Sequence, residues 1–206
     1  MITSLWGKKI GMTQLFKGDK VVPVTVINTA DWFVTQIKKQ DKDGYNAVQI
    51  ACLRPRYVGK TFDQNWLKKL NKFFGHVKEV KVKDLNEEVI VGNPANFSSI
   101  LSEGNTVDIF GVTKGCGFAG AVKRHGFKGG ANSHGDKTGR RTGSLSFMRS
   151  QGRVIKGKRL PGHMGTSNRV MKNLEIIKVD SNANIVAVKG SVPGKSGSLI
   201  FINKLG

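Results

Sequence analysis

Acidic residues are scarce in this chain of 206 residues: 14 Asp and Glu stand against 34 Lys and Arg, a formal net charge of +20. So large an excess of one sign repels itself in a compact state and makes a polyanion the expected partner. Cysteine is also scarce. Cys52 and Cys116 are too few and too far apart for a disulfide scaffold, which is typical of a reducing compartment.

Long apolar runs are absent as well. The most apolar stretches, such as residues 21–27, are interrupted by Pro and Thr, and none approaches the roughly 18 residues that a membrane helix needs. Residues 1–9 contain neither an apolar segment nor an Arg- and Ser-rich presequence. We therefore expect no membrane partner, no targeting peptide and a cytoplasmic location.

Much of what remains is typical of short β-strands. Six segments are rich in β-branched and aliphatic residues, namely Val21–Ile27, Ala47–Ala51, Thr106–Phe110, Leu174–Val179, Ile185–Val188 and Ser198–Ile202. Asp180–Asn184 is a hairpin turn signal. Several short strands with turns between them predict an antiparallel barrel. Between Phe62 and Phe74 the apolar residues instead recur at helical spacing, which predicts an amphipathic helix.

One segment, Gly111–Asn168, differs from the rest. Its 58 residues hold 14 of the 26 glycines, 12 Lys or Arg, three of the four histidines and a single acid, Asp136. Its apolar residues are scattered with neither helical nor strand periodicity, so it cannot bury enough surface to offset the entropy of ordering. We expect a loop that is disordered alone and becomes ordered against an anion.

Motifs for enzymatic chemistry are weak in their context. Gly115–Gly120 matches the dinucleotide pattern G-x-G-x-x-G, but glycines and charges follow it where a helix and a second strand are needed. Gly190–Ser196 is one residue short of a Walker A loop. His125 and His134 lie too far apart for a metal site, and no serine lies in G-x-S-x-G. The sequence therefore predicts no catalytic site, metal or cofactor and no small-molecule substrate.

Several motifs together resemble a known family. Asp108–Arg124, with its run Gly-Val-Thr-Lys-Gly-Cys-Gly-Phe-Ala-Gly, closely resembles the signature of the third protein of the large ribosomal subunit. Other stretches also resemble motifs of this family and occur in the same order along the chain: Gly7–Thr13, Pro23–Ile27, Gly44-Tyr45, Lys156–Lys158, Gly162–Gly165 and Val188–Gly194. The resemblance covers essentially the whole chain. The family usually has a basic residue where Cys116 stands, so one phosphate contact is in doubt there.

The resemblance implies a fold and a role. The fold is a mainly β protein: a translation-factor-like antiparallel β-barrel over residues 1–110 and 169–206, with a small α/β insertion at about 55–100. Residues 111–168 form a basic, glycine-rich extension ordered on RNA, and the family's long loop maps onto Lys123–Gly165. The implied role is a structural constituent of the large subunit that binds its rRNA and neighbouring proteins. The resemblance also implies that the chain helps to nucleate subunit assembly and that its extension reaches toward the peptidyl-transferase centre.

The predicted RNA contacts follow from charge and from small residues. The basic candidates are Lys8, Lys9, Lys114, Lys123, Arg124, His125, Lys128, His134, Arg140, Arg141, Arg149, Arg153, Lys156, Lys158, Arg159 and His163. Glycines expected to let the backbone approach RNA are Gly115, Gly117, Gly120, Gly157, Gly162 and Gly165. The alternatives are a non-ribosomal basic nucleic-acid binder, or an RNA-acting enzyme that uses His125, His134 or His163.

Overall fold

The protein is described by a computed structural model covering residues 2–60, 62–82, 89–95, 100–145 and 152–205. The strands in this part of the chain are β1 (Ser4–Lys17), β2 (Lys20–Asn28), β3 (Trp32–Lys38), β4 (Ala47–Leu53), β5 (Phe74–Lys81), β6 (Thr106–Val112), β7 (Gly117–Ala119), β8 (Gly162–Met164), β9 (Asn168–Asp180), β10 (Ile185–Lys189) and β11 (Leu199–Lys204). The short helices are α1 (Gln40–Asp43), α2 (Asn65–Lys68), α3 (Leu70–Phe73) and α4 (Ala121–His125), with a 3-10 turn at Pro55–Tyr57. The prediction of a mainly β protein is confirmed.

Six strands form a closed antiparallel sheet in the order β1-β11-β6-β9-β10-β2. Alternation along each strand sends one set of side chains inward, and these form the first core. Its fully or almost fully buried members include Leu5, Ile27, Val107, Ile109, Ile176, Val186, Val188, Ile200 and Ile202. The pair β1–β11 closes the ring, with Leu5 opposite Ile202. Five of the six predicted strands, and the turn at Asp180–Asn184, lie in this sheet as expected.

The sixth predicted strand, β4, lies in a separate three-stranded sheet of order β3-β4-β5. The inserted sheet therefore begins at Trp32, earlier than the predicted boundary near residue 55. The predicted helix over 62–74 is two four-residue helices, because Lys69 between them leaves helical backbone geometry with φ −135° and ψ 61°. Both turns still face one core, in which Trp66 of α2 is buried and against which Leu70 and Phe73 of α3 pack.

The chain divides into two compact units, residues 1–112 with 168–206, and residues 113–167. The second unit is inserted within a β-hairpin, since the last residue of β6, Val112, pairs with the first residue of β9, Asn168. We expected this segment to lack regular structure. Its described residues nevertheless contain the β7–β8 ladder and α4. No helix in the described part of the chain is long and apolar enough to cross a membrane.

Candidate nucleic-acid interface

The base of the 113–167 unit, which we call the extension, is a narrow antiparallel ladder. Strands β7 and β8 pair from Gly117 opposite Met164 to Ala119 opposite Gly162. The Cys116 amide donates to the Met164 carbonyl at 2.8 Å, and the Thr113 amide donates to the Ser167 carbonyl at 3.0 Å. Backbone hydrogen bonds therefore bring the two ends of the extension together.

Three predicted contact glycines are closely packed against the base of the extension, and for Gly165 the neighbour is backbone. A Cβ atom at Gly165 would collide with the Lys114 carbonyl oxygen, and Gly165 also has a positive φ of 83°. A Cβ at Gly115 would lie 2.8 Å from the Thr166 hydroxyl, and one at Gly162 would lie 2.6 Å from the Arg124 guanidinium. Close packing and backbone conformation explain Gly165 without any external partner, whereas at Gly115 and Gly162 a neighbouring side chain would have to shift.

The other three predicted glycines have open surroundings. Gly117 and Gly157 have positive φ angles of 65° and 79°, so backbone conformation accounts for them. Gly120 has φ −65° and ψ 162°, a geometry that any residue adopts, and a Cβ there would meet nothing within 4 Å. Gly120 is therefore a glycine that neither sterics nor backbone geometry requires.

Helix α4 fixes two of the predicted basic residues against the chain. The Arg124 guanidinium donates to the Leu160 carbonyl at 2.7 Å, and His125 Nε2 lies 3.1 Å from the same oxygen. A carbonyl only accepts hydrogen bonds, so this contact places the proton of a neutral His125 on Nε2. Both side chains are half-buried. They hold the returning segment before β8, which gives them a structural role.

The single acid of the extension closes a loop. The Asp136 carboxylate accepts from the Ala131 amide at 2.6 Å and from the Thr138 amide at 2.7 Å, and the Gly130 amide donates to the Gly139 carbonyl at 2.7 Å. Hydrogen bonds from Thr138, and then from Ala131, lower the pKa of Asp136. We predicted no role for Asp136 from the sequence, although its spacing to Thr138 is that of an Asx turn.

Most remaining cations of the extension face solvent. The exposed predicted residues are Lys114, Lys123, Lys128, His134, Arg140, Arg141, Arg153, Lys156, Arg159 and His163. Lys158 is half-buried and has an interaction within the protein, and Arg149 lies outside the described residues. A groove lined by Gly120, Lys123, Arg140, Arg141, Leu145 and Pro161, among others, gathers three of these cations beside the open glycine. Such a surface matches phosphates and leaves room for a backbone to approach.

The two predicted contacts on β1 behave differently. Lys9 is buried, and its ammonium donates to the Val192 carbonyl at 2.7 Å and the Gly194 carbonyl at 3.2 Å. Lys8 is half-buried, and its charge acts on His76 of β5. The pKa of His76 is lowered first by burial and then by the positive charges of Lys8 and Lys78. We therefore leave Lys9 out of the interface, because its charge is occupied inside the body.

The described residues contain no group of three or more His, Cys, Asp or Glu side chains that could hold a metal ion. The closed β sheet and the strongly basic, glycine-rich extension place the chain in a class of basic β proteins suited to a polyanion. A family model described as Ribosomal protein L3 matches residues 77–187. The chain belongs to the ribosomal protein L3 family.

Relatives of the full length support this assignment. The large ribosomal subunit protein uL3 of Thermosipho africanus is 43% identical over 196 residues, which is 95% of each chain. The uL3 proteins of Pelotomaculum thermopropionicum and Herpetosiphon aurantiacus are each 42% identical, over 99% of this chain and 97% of theirs. The chain is thus similar to these proteins from one end to the other.

Proposed function

We propose that the chain is a structural constituent of the large ribosomal subunit and binds large-subunit rRNA directly. The observation that carries this proposal is the extension of an L3-family protein, in which exposed cations surround one acid whose carboxylate is already occupied by Ala131 and Thr138. Exposed cations that lack local carboxylates favour phosphate as their counterion, since binding releases the condensed ions of the RNA. We further propose that the closed sheet is the translation-factor-like barrel of the family.

The proposed mechanism uses the geometry of the extension. The β7–β8 ladder and the clamp of Arg124 and His125 on Leu160 order the base before RNA is met, which lowers the entropy cost of binding. Exposed arginines and lysines then neutralise phosphates where RNA strands converge, and Gly120 lets the backbone come close. The extension thereby helps to nucleate subunit assembly and reaches toward the peptidyl-transferase centre.

In this proposal the chain performs no catalysis and works beside neighbouring large-subunit proteins on cytoplasmic ribosomes. His125, His134 and His163 are contact or structural residues. Consistent with this role, His125 Nε2 makes its hydrogen bond to a backbone carbonyl at 3.1 Å.

Sedimentation and salt dependence test the proposal. The tagged protein should co-sediment with large subunits through a sucrose gradient, and the purified chain should bind deproteinised large-subunit rRNA with an affinity that falls steeply with salt. A log–log slope reflecting six or more phosphate contacts corresponds to a loss of about a thousandfold between 50 and 200 mM salt. Co-sedimentation with free DNA, or a flat salt dependence, would refute the proposal.

A further inference from the structure

A second basic surface lies beside the three-stranded sheet and is formed by residues between 54 and 75. It is a groove lined by Arg54, Pro55, Arg56, Tyr57, Lys72 and Gly75, which we call the insertion groove. Three of these six residues are cationic and none is acidic. The 3-10 turn, helix α3 and the start of β5 bring them together, although they are spread over 22 positions of sequence.

One cation of the insertion groove is held in a fixed orientation. The Arg54 guanidinium donates from Nε to the Phe74 carbonyl at 3.2 Å and from Nη2 to the Asn71 carbonyl at 2.8 Å. These two bonds set the plane of the guanidinium in advance. An arginine whose fork is already oriented loses less entropy when it meets a phosphate.

The neighbouring cations rest on an aromatic cluster. Tyr57 and Phe73 pack edge to face with ring centroids 5.1 Å apart. The Lys72 ammonium lies 5.6 Å from the Phe73 ring centre, and the Lys60 ammonium lies 5.4 Å from that of Tyr57. Cation–π contacts of this kind restrain lysine side chains and keep their charge near the rim of the groove.

Nearby acids do not cancel this charge. Between Arg54 and Val82 the chain carries two carboxylates, Asp63 and Glu79. Asp63 accepts from the Asn65 amide at 2.9 Å, and Glu79 accepts from the Lys38 ammonium at 2.6 Å and the Tyr45 hydroxyl at 2.9 Å. Within residues 54–82 the cations therefore outnumber the carboxylates, and neither carboxylate lines the insertion groove.

Gly75 lies in the groove at a β-bulge of β5. It lies opposite no partner residue, because the β4–β5 register shifts between Cys52 and Leu53. Its φ is not in the left-handed region, and a Cβ there would make ordinary contact, 3.7 Å from the Arg54 Cγ. The bulge accounts for a glycine in this strand, and the space around it accepts a side chain, so Gly75 is a position where the groove can be filled by substitution.

We infer that the insertion groove binds the phosphodiester backbone of RNA and is a second contact site, independent of the extension. This inference rests on the proposed function for the identity of the polyanion. An oriented arginine and two more cations, with no acid among the lining residues, suit a chain of phosphates.

Two changes to the full-length chain test the site by different means. Gly75→Leu fills the groove and keeps every charge. Arg56→Ala with Lys72→Ala removes two charges, and Lys39→Ala with Lys42→Ala is the matched control at helix α1 on the same sheet. Binding of each variant to deproteinised large-subunit rRNA is measured by filter retention over a range of salt, with thermal unfolding followed by circular dichroism.

We expect Arg56→Ala/Lys72→Ala to lower affinity about tenfold and to reduce the salt slope by about two. Gly75→Leu should lower affinity severalfold, and the α1 control should change it less than twofold. If the charge variant and its control lose equal affinity, or a poly-glutamate peptide competes as well as RNA for the groove, the inference is wrong. Failure of the wild-type chain to bind rRNA would instead overturn the proposed function.

Discussion

At the scale of single residues, Lys9 illustrates a cation used for folding. Its ammonium joins β1 to the segment between β10 and β11 through the Val192 and Gly194 carbonyls. Lys9→Met keeps the length of the side chain but leaves those carbonyls without their charged donor. We expect the free energy of unfolding to fall by about 2 kcal/mol in urea titrations.

Lys8→Met is the control for this change, because Lys8 is half-buried and neither carbonyl depends on it. Its effect on stability should be smaller. A loss of rRNA affinity by folded Lys9→Met protein, with stability unchanged, would contradict the structural role of Lys9.

Gly165 gives a prediction about the base of the extension. In Gly165→Ala the new methyl group meets the Lys114 carbonyl at a backbone position with φ 83°. Both effects disfavour the β7–β8 ladder, with the positive φ alone costing about 1 kcal/mol. Hydrogen exchange at the Cys116 amide, which donates to Met164, should therefore accelerate by at least about fivefold.

Gly143→Ala provides the comparison, because its Cβ would meet nothing within 4 Å and its φ is not positive. That variant should exchange like the wild type. Equal acceleration in both variants would show that the steric argument at Gly165 is wrong.

The sequence predicted that the extension is a cationic surface, but it did not predict the role of each individual cation. The excess of cations in the extension was evident from composition, and most of those side chains are exposed. Lys8 and Lys9 were predicted together as RNA contacts, because two adjacent lysines look alike in composition. Strand alternation from Leu5 through Gly7 to Lys9, all buried, is the signal that separates Lys9 from Lys8.

At the scale of elements, the Asp136 loop should respond to acid. Its hydrogen bonds to Thr138 and Ala131 lower the pKa of Asp136 from 3.8, so the carboxylate stabilises the loop in full above that pH. Stabilisation is lost as pH falls through the lowered value of the folded loop. Amide chemical shifts of Ala131 and Thr138 should move together with a midpoint below 3.8.

Asp136→Asn is the control for this titration, since its side chain carries no proton to gain in that range. Its two amide shifts should stay flat between pH 6 and 2. A wild-type midpoint at or above the ordinary value of aspartate would contradict the hydrogen-bonded geometry.

Elements with strong periodicity were predictable, and those that depend on distant partners were not. The strands rich in Val and Ile were found from alternation alone. By contrast, β1 carries lysines and glycines and is held by pairing with β2 and β11, which sequence patterns do not encode. The break at Lys69 likewise depends on the aromatic core around Trp66, to which both α2 and α3 contribute side chains.

At the scale of the whole molecule, the excess positive charge is concentrated in the extension, whereas the closed sheet and its core lie in the body. Of the 34 basic residues, 12 lie in Gly111–Asn168 with one acid, so the remaining body has a more ordinary balance. We therefore expect the body to fold without the extension. Replacing residues 113–167 by Asn-Gly joins β6 to β9 as a two-residue hairpin, because Val112 and Asn168 are already partners.

By circular dichroism the shortened chain should retain the strand content of the body and a cooperative unfolding transition, while its rRNA affinity falls steeply. A Gly/Ser segment of equal length is the control that separates loss of charge from loss of chain. Global unfolding of the Asn-Gly variant would show that the body needs the extension.

The pairing of β1 with β11 has a consequence for the timing of synthesis. Leu5 finds its partner in Ile202, so the ring of strands stays open until nearly all of the chain has left the exit tunnel. Contacts of such large sequence separation also form slowly. The cation-rich extension precedes β9, β10 and β11 in the chain, so it is exposed to RNA while the body is still incomplete. The extension can therefore bind RNA before the closed sheet has formed.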